Sequence, residues 1–235
     1  RSNQVVSHSV SDMIIALDGP AGSGKSTTAK LVAQKLGLMY LDTGAMYRAV
    51  TLFVLRNNLM GKTNEIIEFA NSLKIVLSFI DGETNITVNG EDVSKEIRSF
   101  EVNSNVSEIS CIEGVRKILV KKQQEMGENG GVVMEGRDIT TVVYPNADVK
   151  IFLTAGIDER AERRAKEFAE KGTDVPIDKV KENLKNRDFI DSNREASPLK
   201  KAPDSIEVDT SNTTIDEQVE LILDQVKIIT DKKEN

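Results

Sequence analysis

The chain has 235 residues, of which 39% are hydrophobic and 29% charged, as is usual for a globular protein with a substantial core. A net charge of -7, an aromatic content of 4% and the lack of tryptophan argue against binding of a nucleic acid polymer, which needs a basic face or stacking platforms. The single cysteine, Cys111, fits a reducing compartment, so we expect a cytoplasmic protein. No apolar run reaches about 18 residues, so we expect no membrane span.

The N-terminal third predicts alternating strands and helices. Residues 1–12 are polar, include the single histidine, His8, and predict a flexible extension. The run MIIALDG is typical of a buried parallel strand, and KSTTAKLVAQKLG predicts a helix that ends at Gly37. LMYL and TGAMYRAVTLFVLRNN predict a second strand and helix. This order indicates a βαβ unit and therefore a parallel sheet.

Beyond Leu73 the pattern changes and then returns. Residues 73–100 place strand-like pieces around the turn dipeptides DG and NG, which predicts a small β-rich insertion. Helices are predicted over 101–110 and 113–126, and buried strands in GGVVMEG and DVKIFL. Two charged helices follow, one ending at Gly172 and one starting near Pro176, and then a strand in IEVDT and a helix from Ile215 to Ile229. We expect one α/β core over residues 13–230 and a frayed tail over 231–235.

The motif GPAGSGKST identifies a phosphate-binding loop. It matches G-x-x-x-x-G-K-[ST] and lies between a predicted buried strand and a helix, which is the setting that this motif requires. Lys25 is expected to reach the β- and γ-phosphates, and the Ser26 hydroxyl to hold Mg²⁺. The predicted ATP-binding residues are Gly19, Pro20, Ala21, Gly22, Ser23, Gly24, Lys25, Ser26 and Thr27.

The sequence leaves several P-loop classes open. A GTPase switch is disfavoured because no N-K-x-D element occurs, and an ATPase because no strand ends clearly in paired carboxylates. The nearest candidate is Glu135 in VVMEG, which could contact Mg²⁺ through water or be a buried structural residue.

The stretch LDTGAMYR follows the second predicted strand, where a phosphate acceptor would lie. Thr43 is the expected N-cap of the next helix, and its hydroxyl, the helix N-terminus and Arg48 could hold a second phosphate. A capped helix with a surface arginine fits the same residues.

From about Met13 to Ile229 the chain resembles bacterial cytidylate kinases, which are nucleoside monophosphate kinases of the P-loop class. The resemblance rests on GPAGSGKST, LDTGAMYR, NGEDVSKEIR, EGRDITTVVYPNADVKIFL, RAERR and NRDFIDSNREASPL in this order and spacing. Small departures are Thr140 in place of glycine, Asn146 where aspartate is frequent, and Glu135 where some relatives have aspartate. The resemblance implies a three-layer α/β/α P-loop kinase with a central parallel sheet, a β-rich insertion that binds the monophosphate, and a short lid over about residues 157–175. It implies transfer of phosphate from ATP to CMP or dCMP with Mg²⁺.

The resemblance also implies roles for individual residues. Thr43, Arg48, Arg137 and Arg194 match ligands of the CMP phosphate, and Ser107, Arg116 and Asp138 match readers of cytosine. Arg187 and Asp191 match contacts on the ribose side, and Arg160 and Arg164 in the lid are candidates to contact ATP phosphates. The implied catalytic residues are Lys25, Arg137, Arg160, Arg164 and Arg194.

Local alternatives accompany these assignments. The arginines of RAERR lie on a glutamate-rich helix and fit a solvated, salt-bridged face. EGRD fits a turn in which Arg137 pairs with Asp138. For the whole chain the rivals are a kinase of another monophosphate such as UMP, and a P-loop ATPase or nucleotide-dependent interaction protein. We expect a monomer.

Overall fold

The computed structural model describes residues 9–80, 83–170 and 172–234. Most of the predicted extension, including His8, therefore lies outside the described residues, as do Asp81, Gly82, Lys171 and Asn235. In chain order the elements are β1 (Ile14–Asp18), α1 (Lys25–Leu36), β2 (Met39–Asp42), α2 (Thr43–Arg56), α3 (Thr63–Ser72), β3 (Ile75–Ile80), β4 (Glu83–Val88), β5 (Glu91–Asp92), α4 (Phe100–Cys111), α5 (Glu113–Met126), β6 (Val132–Gly136), β7 (Val149–Thr154), α6 (Ile157–Glu170), α7 (Ile177–Asn193), β8 (Ile206–Asp209) and α8 (Ile215–Glu234).

Five parallel strands form the central sheet in the order β2-β6-β1-β7-β8. Helices cover both of its faces, and strand β1 shows why. Ile15 and Leu17 pack with α1 and α8 on one face, whereas Ile14 and Ala16 pack on the other face with α5 and the turn after β6. Side chains alternate across a strand, so a β1 that is apolar at every position up to Asp18 has to be covered on both faces. The predicted three-layer α/β/α fold is confirmed.

The expected β-rich insertion is a three-stranded antiparallel sheet in the order β3-β4-β5. Its NG dipeptide forms the turn after β4, where Asn89 and Gly90 lie in the left-handed region with φ angles of 52° and 86°. The Asn89 side chain accepts a hydrogen bond from the backbone N–H of Lys74 at 2.9 Å and so fixes the start of β3. This sheet packs on α2, α3 and α4 in a second apolar core beside the central sheet.

Three features differ from the sequence-based expectation. Helix α3 was not predicted, because its N-cap, Lys62, offers no capping side chain and only Ile66 and Ala70 bury on its inner face. A π-helical turn, Ile139–Val143, follows β6. Helix α8 continues past Ile229 to Glu234, so most of the expected frayed tail is helical. Within the described ranges, no helix is both long enough and apolar enough to cross a bilayer.

Candidate active site

The phosphate-binding loop connects β1 to α1 at the carboxyl edge of the sheet. Gly19 has φ +151°, and a Cβ atom there would lie 2.0 Å from the carbonyl oxygen of Leu153, so only glycine lets the loop pass this close to β7. Lys25 folds back over the loop, where its ammonium group donates to the carbonyl of Pro20 at 2.7 Å. Burial, reinforced by the positive charge of Arg137, lowers the pKa of Lys25 to about 7. The loop thus holds a cation that gains from an anionic ligand.

The LDTGAMYR stretch forms the end of β2 and the start of α2. The expected N-cap was wrong: the side chain of Asp42, not Thr43, accepts the hydrogen bond from the N–H of Ala45, at 3.0 Å. Thr43 is the first helical residue, and its hydroxyl donates to the carbonyl of Glu135 at 2.7 Å. Arg48 turns back to pair with Asp42 at 2.6 Å and lines a cleft, so it is not a surface arginine.

That cleft opens beside the phosphate-binding loop. Seven cationic side chains and four carboxylates line it, an excess of positive charge in a protein whose net charge is -7. Converging charges of one sign in a cleft raise the local concentration of ligands of the opposite sign. The lining cations are Lys25, Arg48, Arg116, Arg137, Arg164, Arg187 and Arg194, and the carboxylates are Asp42, Glu135, Asp138 and Asp191.

The structure brings all the predicted acceptor-site residues into this one cleft. They come from four separate parts of the chain: the start of α2, helices α4 and α5, the segment after β6, and helix α7 with the residue that follows it. The set comprises Thr43, Arg48, Ser107, Arg116, Arg137, Asp138, Arg187, Asp191 and Arg194.

Ion pairs across the cleft differ from the pairing that EGRD suggested. Arg137 pairs with Asp191 at 3.2 Å, and Asp138 pairs with Arg116 at 2.6 Å, so the turn in which Arg137 pairs with Asp138 was wrong. Both side chains of the Arg116–Asp138 pair are only 3% exposed. Asp191 also forms an ion pair with Arg194, at 3.3 Å. These pairs connect α5, the segment after β6 and α7 around a common space.

Several buried donors in the cleft have no hydrogen-bonding partner among the described residues. They include the hydroxyl of Ser107, one amino group of Arg194, and the Nε atoms of Arg48, Arg116 and Arg187. Burial, together with the charge of Arg137, lowers the pKa of Arg187 to about 9. Because buried donors without partners cost free energy, this lining fits a ligand that offers several acceptors and negative charge.

Helix α6 lies over the loop and carries the arginines of RAERR. Arg160 forms a bidentate pair with Asp188 and donates to the carbonyl of Ala21 in the loop at 3.2 Å, so it is buried and does not lie on a solvated face. Arg163 donates to Thr210. Arg164 donates to Glu167 at 2.6 Å and to Asn103 at 2.8 Å.

The predicted nucleotide-loop residues divide between two adjoining clefts. Gly22, Lys25 and Ser26 line both clefts. Ala21 lines only the first, and Gly24 and Thr27 line only the second. The remaining residues support the loop: Ser23 is fully buried, and Arg160 contacts the loop from outside both clefts.

Comparison with known proteins agrees with this geometry. The family model described as "Cytidylate kinase" matches residues 15–228. The chain belongs to the cytidylate kinase family. It is 50% identical over 215 residues to the cytidylate kinase of Desulforamulus reducens, covering 91% of this chain and 96% of that protein. It is 47% identical over 216 residues to the cytidylate kinase of Fusobacterium nucleatum, covering 92% and 98%. A solved structure of an uncharacterized protein from Eubacterium ventriosum covers 92% of this chain and 99% of its own, with a TM-score of 0.51 at 12% identity, which supports the fold alone.

Phosphoryl transfer from a nucleotide generally uses Mg²⁺, and the oxygen groups beside the loop fit that ion. Ser26 is the second residue of α1 and lines both clefts, and the carboxylate of Glu135 lies one residue before the end of the neighbouring strand β6. Tyr40 donates a hydrogen bond to that carboxylate. Burial and the nearby Asp42 raise the pKa of Glu135. A hydroxyl and a carboxylate are the hard oxygen donors that Mg²⁺ prefers.

Some lining residues were missed from the sequence. Tyr47 lies four residues after Thr43, and Asn103 lies four residues before Ser107, so helical spacing places each on the same face as a predicted residue. Helical spacing from the predicted residues would therefore have identified Tyr47 and Asn103 as lining residues. The second cleft adds Thr213 and Gln218 near α8, for which the family motifs gave no signal.

Proposed function

We propose that this protein transfers the γ-phosphate of ATP to CMP or dCMP, giving ADP and CDP or dCDP. The observation that carries the proposal is the single cleft that joins the phosphate-binding loop to an arginine-rich wall containing the buried Arg116–Asp138 pair. The wall supplies charge for an acceptor phosphate, and the pair supplies polar groups that match one base.

We assign the acceptor phosphate to Thr43, Arg48, Arg137 and Arg194. The start of α2 contributes the positive end of a helix, and the arginines contribute planar donors suited to phosphate. An acceptor phosphate already carries a charge of about -1.5 to -2 near neutral pH and needs no general base. Catalysis by this site is then alignment of the two phosphates and neutralisation of their charge by Lys25 and the arginines.

We assign the base to Ser107, Arg116 and Asp138. Asp138 accepts from the exocyclic amino group of cytosine, and Arg116 and Ser107 donate to the ring nitrogen and carbonyl. Uracil has a carbonyl where cytosine has the amino group, so two acceptors would face each other. Because an unpaired buried polar group costs about 1–3 kcal/mol, CMP is favoured over UMP by roughly one to two orders of magnitude. Arg187 and Asp191 are assigned to the ribose side.

We assign the donor to residues Gly19 to Thr27, with Arg160 and Arg164 contributing from the lid. Lys25 leaves the Pro20 carbonyl to reach the β- and γ-phosphates, and Ser26 and Glu135 would hold Mg²⁺, Glu135 through water. When bound, Mg²⁺ supplies charge neutralisation and orientation of the phosphates. The arginines of α6 exclude water from the loop, which limits hydrolysis of ATP.

The test is to measure ADP release with CMP, dCMP, UMP and AMP offered separately, beside a reaction without acceptor. We expect turnover to depend on the acceptor and to be fastest with CMP or dCMP. Equal rates with and without acceptor would instead indicate an ATPase and overturn the kinase assignment. A clear preference for UMP would overturn only the assignment of the base.

A further inference from the structure

Asp18 is a buried carboxylate outside the cleft. It ends strand β1, directly before Gly19, and is fully buried. One of its oxygens accepts from the N–H of Ile139 at 3.0 Å, and the other accepts from the N–H of Thr140 at 2.7 Å and from the Thr140 hydroxyl at 2.6 Å. Asp18 therefore binds a segment more than 120 residues away through three hydrogen bonds.

That segment is the π-helical turn Ile139–Val143, which begins directly after Arg137 and Asp138. Within the turn, the carbonyl of Asp138 accepts from Val142 and Val143 at 2.9 and 3.1 Å. The first N–H groups of a helical turn have no partner inside it and need an outside acceptor. The carboxylate of Asp18 satisfies two of them and so fixes the direction in which the chain leaves β6.

The packing around the turn leaves it little room to shift. Asp18 and Gly136 are paired in register between β1 and β6. A Cβ atom at Gly136 would lie 2.6 Å from the Thr43 hydroxyl and 2.8 Å from the side chain of Ile139. A change in the position of the turn would therefore be transmitted to Asp138, whose carboxylate lies 2.6 Å from Arg116.

We propose that Asp18 and Thr140 are positioning residues for recognition of the acceptor base: they anchor the turn after β6 to strand β1, and the turn holds Asp138 against Arg116. This inference rests on the proposed function, because it concerns how that acceptor site is held. Asp18 also precedes the phosphate-binding loop, so the same side chain sets the distance between the loop and the base-reading segment. Neither residue lines either cleft.

The test replaces the hydroxyl of Thr140 without changing its size. Thr140→Val keeps the backbone hydrogen bond to Asp18 and removes the one from the hydroxyl. We expect the KM for CMP to rise about tenfold and the preference for CMP over UMP to fall by a similar factor, with the KM for ATP changed less than about twofold. Thr140→Ser restores the hydroxyl and is expected to recover both values. Thr140→Ala is a second replacement and is expected to give the same loss.

Thr28→Val is the matched control. The Thr28 hydroxyl is equally buried and donates to Gln218 at 2.8 Å, between α1 and α8 and away from the turn. Thr28→Val is therefore expected to lower the melting temperature without changing the preference for CMP over UMP. The inference is wrong if Thr140→Val leaves that preference unchanged, or changes the KM for ATP and CMP equally, while the parent protein shows CMP-dependent turnover. A parent protein without acceptor-dependent turnover would overturn the proposed function and, with it, this inference.

Discussion

The substitution Asp138→Asn tests the proposed base site most directly. It preserves the shape of the side chain but removes the negative charge opposite Arg116, in a pair whose two side chains are each 3% exposed. Removal of one partner from a buried ion pair usually costs about 3–5 kcal/mol. Here Arg116 keeps a hydrogen bond to the carbonyl of Ser110 at 3.0 Å and lies 4.9 Å from the centre of the Tyr47 ring. We therefore expect a loss of about 3 kcal/mol in the free energy of unfolding, at the lower end of that range.

Asp138→Asn should change the recognition of the acceptor base and leave the affinity for ATP unchanged. An asparagine amide can turn to present either a donor or an acceptor, so it suits uracil as well as cytosine. We expect the ratio of kcat/KM for CMP to that for UMP to fall by roughly one to two orders of magnitude, towards unity. The assay is ADP release with each acceptor, combined with urea unfolding and a separate measurement of ATP affinity.

The matched control lies on α5, the helix that carries Arg116. Glu113→Gln breaks a solvent-exposed ion pair with Lys117, whose N and O atoms are 2.7 Å apart. We expect it to leave both the stability and the base preference unchanged, because exposed ion pairs contribute little. If Asp138→Asn instead lowered only the affinity for ATP, Asp138 would belong to the donor site and its assignment to the base would be wrong.

Lys25, Asp188 and Gly136 each allow a separate test of the site. Burial and the charge of Arg137 lower the pKa of Lys25 to about 7, so its side chain is largely neutral at pH 8. Binding of ATP should raise this pKa. We therefore expect binding to take up close to one proton at pH 8 and almost none at pH 6. Calorimetry in two buffers of different ionisation enthalpy measures this uptake, and equal values at both pH would contradict it. Asp188→Asn removes the bidentate partner of Arg160. In steady-state kinetics we expect the KM for ATP to rise about tenfold and the KM for CMP to stay unchanged. If both KM values rose together, Arg160 would have no specific role in ATP binding. Gly136→Ala places a methyl group 2.6 Å from the Thr43 hydroxyl. We expect the free energy of unfolding, measured with urea, to fall by about 1–3 kcal/mol and CMP to bind more weakly. An unchanged affinity for CMP would count against Thr43 as a ligand of the acceptor phosphate.

Much of the fold could be predicted because its signals are local. Glycine spacing identified the phosphate-binding loop, and short apolar runs identified strands that are buried on both faces. Local signals failed where a partner from elsewhere in the chain decides the structure. The turn Ile139–Val143 is such a case, because its conformation depends on Asp18, which is remote in sequence. In the sequence Thr140 stands out only as a departure from the family pattern, yet its hydroxyl donates a hydrogen bond to the buried carboxylate of Asp18.

The candidate site was predictable as a set of residues but not as a network. Family motifs placed Arg137, Asp138 and Asp191 in one site, and the structure brings them together. Adjacent residues in sequence suggested the pairing of Arg137 with Asp138, but in β6 and the segment after it consecutive side chains point in different directions. Each therefore meets a partner from another helix, Asp191 and Arg116 respectively, and only the three-dimensional arrangement reveals these pairs.

The pairing of the cleft arginines has a consequence for how an anion can enter. Arg48, Arg137 and Arg194 each already hold a carboxylate, from Asp42 or Asp191, at 2.6 to 3.3 Å. At the proposed acceptor site, an incoming phosphate would compete with those carboxylates for the same guanidinium groups, so binding would exchange one anionic partner for another. The displaced carboxylates remain nearby and repel any ligand whose charge is not fully met by donors. At a site of this kind, the affinity for an anion depends more on how well its oxygen atoms fit the donors than on its total charge.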